Sequence, residues 1–245
     1  LLVALFSDVH GNEAAMRAVA ADIEKRGVDR VCFLGDAVGY YPNPNECLSI
    51  IRDIAQICIM GNHDYAALGI LESKSFNSYA REAIEWTKDA LKRKWVEFMS
   101  GFVMTSDEED MFLVHATPMD PEAWNYIFSL ADADLNFGYF DSPVCFVGHS
   151  HRPVVIAKRG DEACSVHQYD PAKTLALHAK SKYIINIGSV GQPRDGIPDA
   201  CYCLYEPDAR KAQLVRVPYD VSETQLRTIN SGLPEYLADR LALGK

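Results

Sequence analysis

The stretch that decides the fold is Leu1-Leu2-Val3-Ala4-Leu5-Phe6-Ser7-Asp8-Val9-His10-Gly11-Asn12. Six apolar residues in a row read as a buried strand, and a polar turn then breaks the run. Asn12 is placed to cap a helix reaching Arg26, with Ala15, Val19 and Ile23 on one stripe and Gly27 as its stop. Outward from there, residues 31–34 read as a second strand. Asn43-Pro44 reads as a cap and first helical residue of a helix to about Ile54, and residues 57–60 as a third strand. Strand, helix, strand, helix, strand at this spacing requires right-handed crossovers, which make the strands parallel.

Farther on the character changes. Residues 77–99 read as two helices whose apolar faces carry Ile84, Leu91, Trp95 and Phe98. Short apolar runs at 102–104, 111–114, 144–147, 154–157, 163–168, 183–187, 201–205 and 213–217 then read as strands, many joined by turns short enough for antiparallel pairing. Residues 222–243 return to a helical pattern. No linker, repeat or low-complexity segment divides the chain, so residues 1–245 are expected to form one domain. The expected fold class is α/β, with two facing mixed β-sheets flanked by helices in a four-layer αββα sandwich.

Composition excludes several classes. A net charge of -10 argues against a broad surface for nucleic-acid backbones, which is strongly basic. It leaves room for a small anionic substrate, because bound cations reverse the local field. No apolar run approaches the roughly 20 residues that span a bilayer. The apolar opening is ended by Ser7, Asp8 and His10 too early for a secretory signal. The 7 cysteines are scattered and odd in number, which suits a reducing compartment and an expected cytoplasmic location. Cys201 and Cys203 read as two side chains on one strand face rather than a metal pair.

Chemistry concentrates at five places where an apolar run ends. They are Asp8-Val9-His10, Gly35-Asp36, Gly61-Asn62-His63-Asp64, His115, and Gly148-His149-Ser150-His151. Ligand sites of α/β sheets gather at the carboxyl ends of strands, so five such ends can share one crevice. Imidazole, carboxylate and carboxamide without thiolate suit first-row dications rather than a structural zinc cluster. D-x-H and H-x-H on extended backbone would put both side chains on one side, about 7 Å apart at Cα. The glycines at 35, 61 and 148 are expected to let backbone and ion approach closely. Four of the stretches also have a plainer reading: helix caps for Asp8 and Asn12, a turn at Gly61-Asn62, a core or surface histidine at 115, an exposed strand end at 149–151. Five together at strand ends favour one site. His167 and His178 lack such context and are assigned no role.

The order D-x-H, G-D, G-N-H-D, lone H, G-H-x-H resembles the calcineurin-like metallophosphoesterase superfamily. The segment Asn186-Ile187-Gly188-Ser189-Val190-Gly191-Gln192-Pro193-Arg194 further resembles its small prokaryotic phosphodiesterase branch. The resemblance implies that Asp8, His10, Asp36 and His151 hold one metal. Asp36 would bridge to a second, completed by Asn62, His115 and His149. His63 would stay off the metals as general acid or phosphate contact. Two divalent ions are expected, with Mn²⁺ first and Fe²⁺, Zn²⁺, Ni²⁺ or Mg²⁺ as alternatives. One departure matters. Protein Ser/Thr phosphatases of the superfamily carry G-D-x-x-D-R-G, whereas this chain has Gly35-Asp36-Ala37-Val38-Gly39-Tyr40-Tyr41. That weighs against a protein phosphatase and leaves the partner orienting His63 open.

The expected activity is hydrolysis of a small or nucleotide-type phosphodiester by metal-activated hydroxide, with His63 protonating the leaving oxygen. A phosphomonoesterase or dinucleoside polyphosphate hydrolase on the same fold is the alternative. A non-catalytic protein-binding scaffold is a reading of another class, although such a scaffold would be expected to lack some of these residues. An amidohydrolase would place H-x-H at the first strand of a barrel, which this chain does not. Arg194 could contact a phosphate or make a structural ion pair. Residues 40–45 and Trp124-Asn125-Tyr126 follow metal motifs and could wall the cleft.

Overall fold

The computed structural model describes residues 1–108, 110–168 and 173–245. The chain runs β1 (Val3–Phe6), α1 (Glu13–Arg26), β2 (Arg30–Phe33), α2 (Pro44–Ile54), β3 (Ile57–Cys58), α3 (Asn62–Ala67), α4 (Ser78–Ala90) and α5 (Arg93–Met99). It continues through β4 (Thr105–Glu108), β5 (Met111–Val114), α6 (Leu130–Asn136), β6 (Val144–Val147), β7 (Val154–Lys158) and β8 (Ser165–Val166). β9 (Leu175–Ala176), β10 (Lys182–Asn186), β11 (Ala200–Glu206), β12 (Lys211–Val217), α7 (Val221–Asn230) and α8 (Glu235–Asp239) complete it.

The strands form two six-stranded sheets, ordered β3-β2-β1-β11-β12-β9 and β4-β5-β6-β10-β7-β8. Both are mixed. β1, β2 and β3 are parallel, as the crossovers require, while β11 closes antiparallel on β1 with Leu5 opposite Cys203. In the second sheet β5, β6 and β10 are parallel, and β4 and β7 flank them antiparallel.

Strand alternation sorts side chains between layers. From the first sheet, Val3, Leu5, Cys32 and Leu34 face inward and meet Leu113, Val144, Phe146 and Ile185 from the second, forming the core between the sheets. Ala4, Phe6, Val31 and Phe33 face outward under α1, α2 and α5. Cys145, Val147 and Ile184 face outward under α6 and Phe137. The result is the four-layer sandwich that the pattern implied. Cys201 and Cys203 lie on one face of β11, buried between the sheets as expected. All seven cysteines are free thiols. No helix among the described residues is long and apolar enough to cross a membrane.

Several expectations need correction. Residues 102–104 form no strand; Val103 makes a single bridge to Ile59, and the strand is the polar Thr105–Glu108, recruited by pairing with β5. The run 163–168 narrows to Ser165–Val166, and β3 to Ile57–Cys58. Asn12 caps α1 by accepting from Ala15 N at 3.1 Å, whereas Asn43 precedes α2 without a capping bond. The helices α3 and α6 and the strand β9 were not foreseen.

Phe146 is fully buried between the sheets, its ring 5.1 Å from that of Tyr205. Phe146→Ala should therefore cost about 3–5 kcal/mol, read as a lower urea midpoint at unchanged slope. A shift under about 1 kcal/mol would mean that this layer is not the main core.

Candidate metal centre

The five predicted stretches do converge, but not on extended backbone. Asp8, His10, Asp36, His149 and His151 all have φ between 52° and 65°, in the left-handed region. This corrects the D-x-H and H-x-H expectation: the chain curls at each motif. A non-glycine residue there costs about 1–2 kcal/mol, so neighbouring loops must hold it. They do so by pairing backbone with backbone. Asp8 N, His10 N and Gly11 N donate to the carbonyls of Gly35, Asp36 and Ala37, each at 2.9 Å. From the other side, Val190 N and Gly191 N donate to Ser7 O and Asp8 O at 3.0 and 2.8 Å. Asn186 Nδ2 ties down Gly148 O and Ser150 Oγ. The Asn186 to Arg194 segment thus braces the first and last motifs together.

Two glycines are required by space rather than by the ion directly, a refinement of their expected role. A Cβ on Gly61 would lie 2.1 Å from Asp36 Oδ1, and one on Gly148 would lie 2.5 Å from Asp8 Oδ2. Each makes room for a carboxylate.

The donor atoms meet in an arrangement that hydrogen bonding cannot satisfy. His10 Nδ1 donates to Val38 O at 3.0 Å and His151 Nδ1 to Gln192 O at 2.6 Å. Burial, followed by neighbouring charges, holds both rings well below the usual imidazole range, so both are neutral. Their Nε2 atoms therefore both carry lone pairs, yet they face each other at 3.1 Å. Asp8 Oδ1 is 3.2 Å from His151 Nε2, is buried and has no hydrogen-bond partner. An acceptor-only cluster of this kind is what a cation organises, with each imidazole's other nitrogen anchored on a carbonyl.

A second cluster gathers around Asp36. His115 Nδ1 donates to Leu34 O at 2.7 Å, and its Nε2 lies 3.2 Å from Asn62 Oδ1 and 3.4 Å from Asp36 Oδ2. The same Asp36 oxygen is 3.6 Å from His10 Nε2, so it faces both clusters. His149 Nε2 donates to Trp124 O at 3.0 Å, leaving Nδ1 as its lone pair. Ligand atoms of Asp8, His10 and His151 lie within 4.8 Å of one another, as do those of Asp36, His115 and His149. The donor set fits two divalent cations. Charge pairing between Asp36 and His115 offsets the burial of both. Burial opposes ionisation of Asp36, but the His115 and His63 charges hold it well below the carboxylate range. Burial likewise opposes charging His115, yet Asp36 raises it to about 9.

His63 sits beside these clusters, packed among the rings of His10, Tyr40 and Phe76 at 4.7, 4.6 and 4.8 Å. Its buried Nδ1 has no hydrogen-bond partner, and a Cβ on Gly39 would lie 2.2 Å from it. Aromatic packing against a glycine thus orients His63, in place of a carboxylate. Asp64 was assigned nothing from sequence, yet it accepts from the N–H groups of Asp36, Ala37, Val38 and Gly61 at 2.8 to 3.3 Å. It sets the loop that aims Asp36. Its signal was present as the last residue of G-N-H-D, three positions after Gly61 at the start of a helix. Burial and the Asp36 charge push its carboxyl up to about 8, while those four donors favour the anion.

The clusters open into a cleft of about 720 Å³. Tyr40, Trp124, Tyr126 and Arg194 line it as expected, whereas Tyr41 turns into the core and Asn45 bonds Ala90 O and Lys92 N instead. Arg194 makes no structural ion pair among the described residues; its guanidinium holds Gln192 Oε1 and the Tyr40 hydroxyl. Phe76, Tyr79, Tyr236 and Arg240 also line the cleft and were not foreseen.

Residues 1–210 match the sequence model of the calcineurin-like phosphoesterase superfamily domain. An uncharacterized protein of Methanocaldococcus jannaschii is 39% identical over 249 residues, covering 100% of this chain and 98% of its own. The crystal structure of a metallophosphoesterase from Sphaerobacter thermophilus superposes with a TM-score of 0.88 at 40% identity, both chains being covered in full. That of a hypothetical protein from Pyrococcus horikoshii superposes with a TM-score of 0.77 at 16% identity, covering 100% of this chain and 98% of that one. The last is a likeness of fold alone. With its paired His/Asp clusters, its two-sheet sandwich and a family match over most of its length, this chain belongs to the calcineurin-like phosphoesterase superfamily and is a metal-dependent phosphoesterase.

Proposed function

We propose that this chain, acting as one cytoplasmic domain, is a dinuclear phosphodiesterase for small or nucleotide-type esters, with Mn²⁺ as its working metal. The observation that carries the metal assignment is the pair of neutral imidazoles, His10 and His151, whose lone pairs face each other at 3.1 Å beside the partnerless Asp8 Oδ1. Asp8, His10, Asp36 and His151 would hold one ion, and Asp36, Asn62, His115 and His149 the other. Asp36 is the bridging residue because one of its oxygens faces both sets.

When bound, the two cations supply an activated water and neutralise the phosphate oxygens. The leaving oxygen needs a proton, and His63 is placed to give it. Burial holds free His63 down at about 4, with Asp36 pulling the other way. An arriving phosphate anion adds negative charge beside the ring and favours its protonated form. The cleft is larger than one phosphoryl group requires, and its Tyr40, Trp124 and Tyr126 walls suit an organic group on each side of a diester. Seven free thiols suit a reducing compartment.

Chelator-stripped protein resupplied with Mn²⁺ should hydrolyse bis(4-nitrophenyl) phosphate faster than 4-nitrophenyl phosphate. Faster turnover of the monoester would replace the diesterase reading with a monoesterase. Asp36→Asn should lower the bound-metal count from two towards zero, measured by elemental analysis; two retained ions would refute the bridge. His63→Ala should keep both ions and lose about 10²–10⁴-fold on alkyl leaving groups, but far less on 4-nitrophenolate, which leaves without a proton. Equal losses on both would remove His63 as the acid. A ligating His115 must be unprotonated, while its metal-free form keeps a proton up to about pH 9. Below that pH the proton competes, so Mn²⁺ affinity should be up to about tenfold tighter at pH 8 than at pH 7. An affinity independent of pH across that interval would take His115 out of the ligand set.

A further inference from the structure

Arg194 and Arg240 stand on one side of the cleft, on the loop after β10 and at the end of α8, and both line it together with His63 and His151. Both are half-buried. Neither is matched by an aspartate or glutamate among the described residues. Arg194 holds the neutral Gln192 and Tyr40 side chains, and Arg240 Nε donates to the main-chain oxygen of Lys245. Asp195, next to Arg194 in sequence, directs its carboxylate to Arg216 instead. A guanidinium partly withdrawn from water normally has an Asp or Glu side chain as its partner, and here two lack one.

The two are also close enough to repel. Burial, then the charge of Arg194, lowers the pKa of Arg240. In a protein of net charge -10, two like charges held together inside a cleft are a local reversal of the field. Each is aimed by an aromatic ring, Arg194 lying 5.7 Å over Tyr40 and Arg240 5.5 Å over Tyr236. Planar forks with free donors, adjacent and without an Asp or Glu ion-pair partner, match the oxygens of a phosphate group.

We propose that Arg194 and Arg240 form a second anion subsite, which selects phosphodiesters carrying a further phosphate group beyond the one that is hydrolysed. The inference rests on the diesterase reading for which phosphate is cleaved, but the subsite is defined by the arginines alone. Arg240 is the sharper probe, because Arg194 also braces Gln192, which in turn bonds the Tyr41 hydroxyl.

The experiment compares thymidine 5′-(4-nitrophenyl phosphate) with its 3′-phosphorylated counterpart, on Mn²⁺-loaded wild type, Arg240→Gln and Arg240→Lys. The 3′-phosphate should lower KM at least about tenfold in wild type. Arg240→Gln should abolish that ratio, and Arg240→Lys, a point charge without the fork, should keep part of it. Calorimetric titration with thymidine 3′,5′-bisphosphate against thymidine 5′-phosphate reads the same advantage without diester cleavage. If neither diester turns over but the bisphosphate binds tighter in an Arg240-dependent way, the diesterase reading fails and the subsite stands. No advantage in either measurement, or an advantage that survives Arg240→Gln, overturns the subsite.

Discussion

Lone pairs that face lone pairs organise this molecule. His10 and His151 have each committed one ring nitrogen to a backbone carbonyl, so their remaining nitrogens meet as acceptors with Asp8 between them. One step away His115 meets Asp36 and Asn62 with a proton of its own, a positive charge held where a cation would sit. Hydrogen bonding cannot resolve the facing lone pairs of His10 and His151. The five left-handed ligand residues, the paired loops and the glycines that clear space for Asp8 and Asp36 all serve to hold acceptors in mutual opposition. That geometry is unfavourable until positive charge arrives, which makes ion binding and the order of these loops one equilibrium.

The cleft then divides by charge. Its floor is carboxylate and imidazole, which draw cations; its far wall is guanidinium and aromatic ring, which draw anions and flat apolar groups. A phosphate ester fits such a gradient better than a free cation or a neutral molecule does. The aromatic sandwich around His63 belongs to the same design, because it places a ring whose Nδ1 lacks a partner between the two halves.

Much of this could be read from the chain. Five ligand stretches after five apolar runs disclosed the crevice, and short apolar runs joined by helices or tight turns disclosed the two sheets, because both signals are local and repeated. What escaped was set by tertiary contact. Thr105–Glu108 is polar and becomes a strand only because β5 offers an edge. α3 and α6 are too short for a periodic stripe to show. The left-handed motif residues adopt a conformation uncommon outside glycine, and partners more than 25 positions away, backbone groups and the Asp8 and Asp64 carboxylates, hold them there. Arg240 carries no motif, and its place beside Arg194 depends on the C-terminal turn packing against Gly196 and Ile197.

β1 is the third strand of its sheet, between β2 on one side and β11 on the other. β1 therefore waits about two hundred residues of synthesis for its second neighbour, with one hydrogen-bonding edge open. The loop holding Asp8 waits as long, since Ser189 to Gly191 must arrive to bond it. Contacts of such sequence separation form slowly. Nascent chains should thus expose an adhesive strand edge until β11 has been made, and the ion site should mature only after residues 189–191 have emerged. Early chelation of metal by a half-made chain is disfavoured by the same wiring that joins the first and last motifs in the finished site.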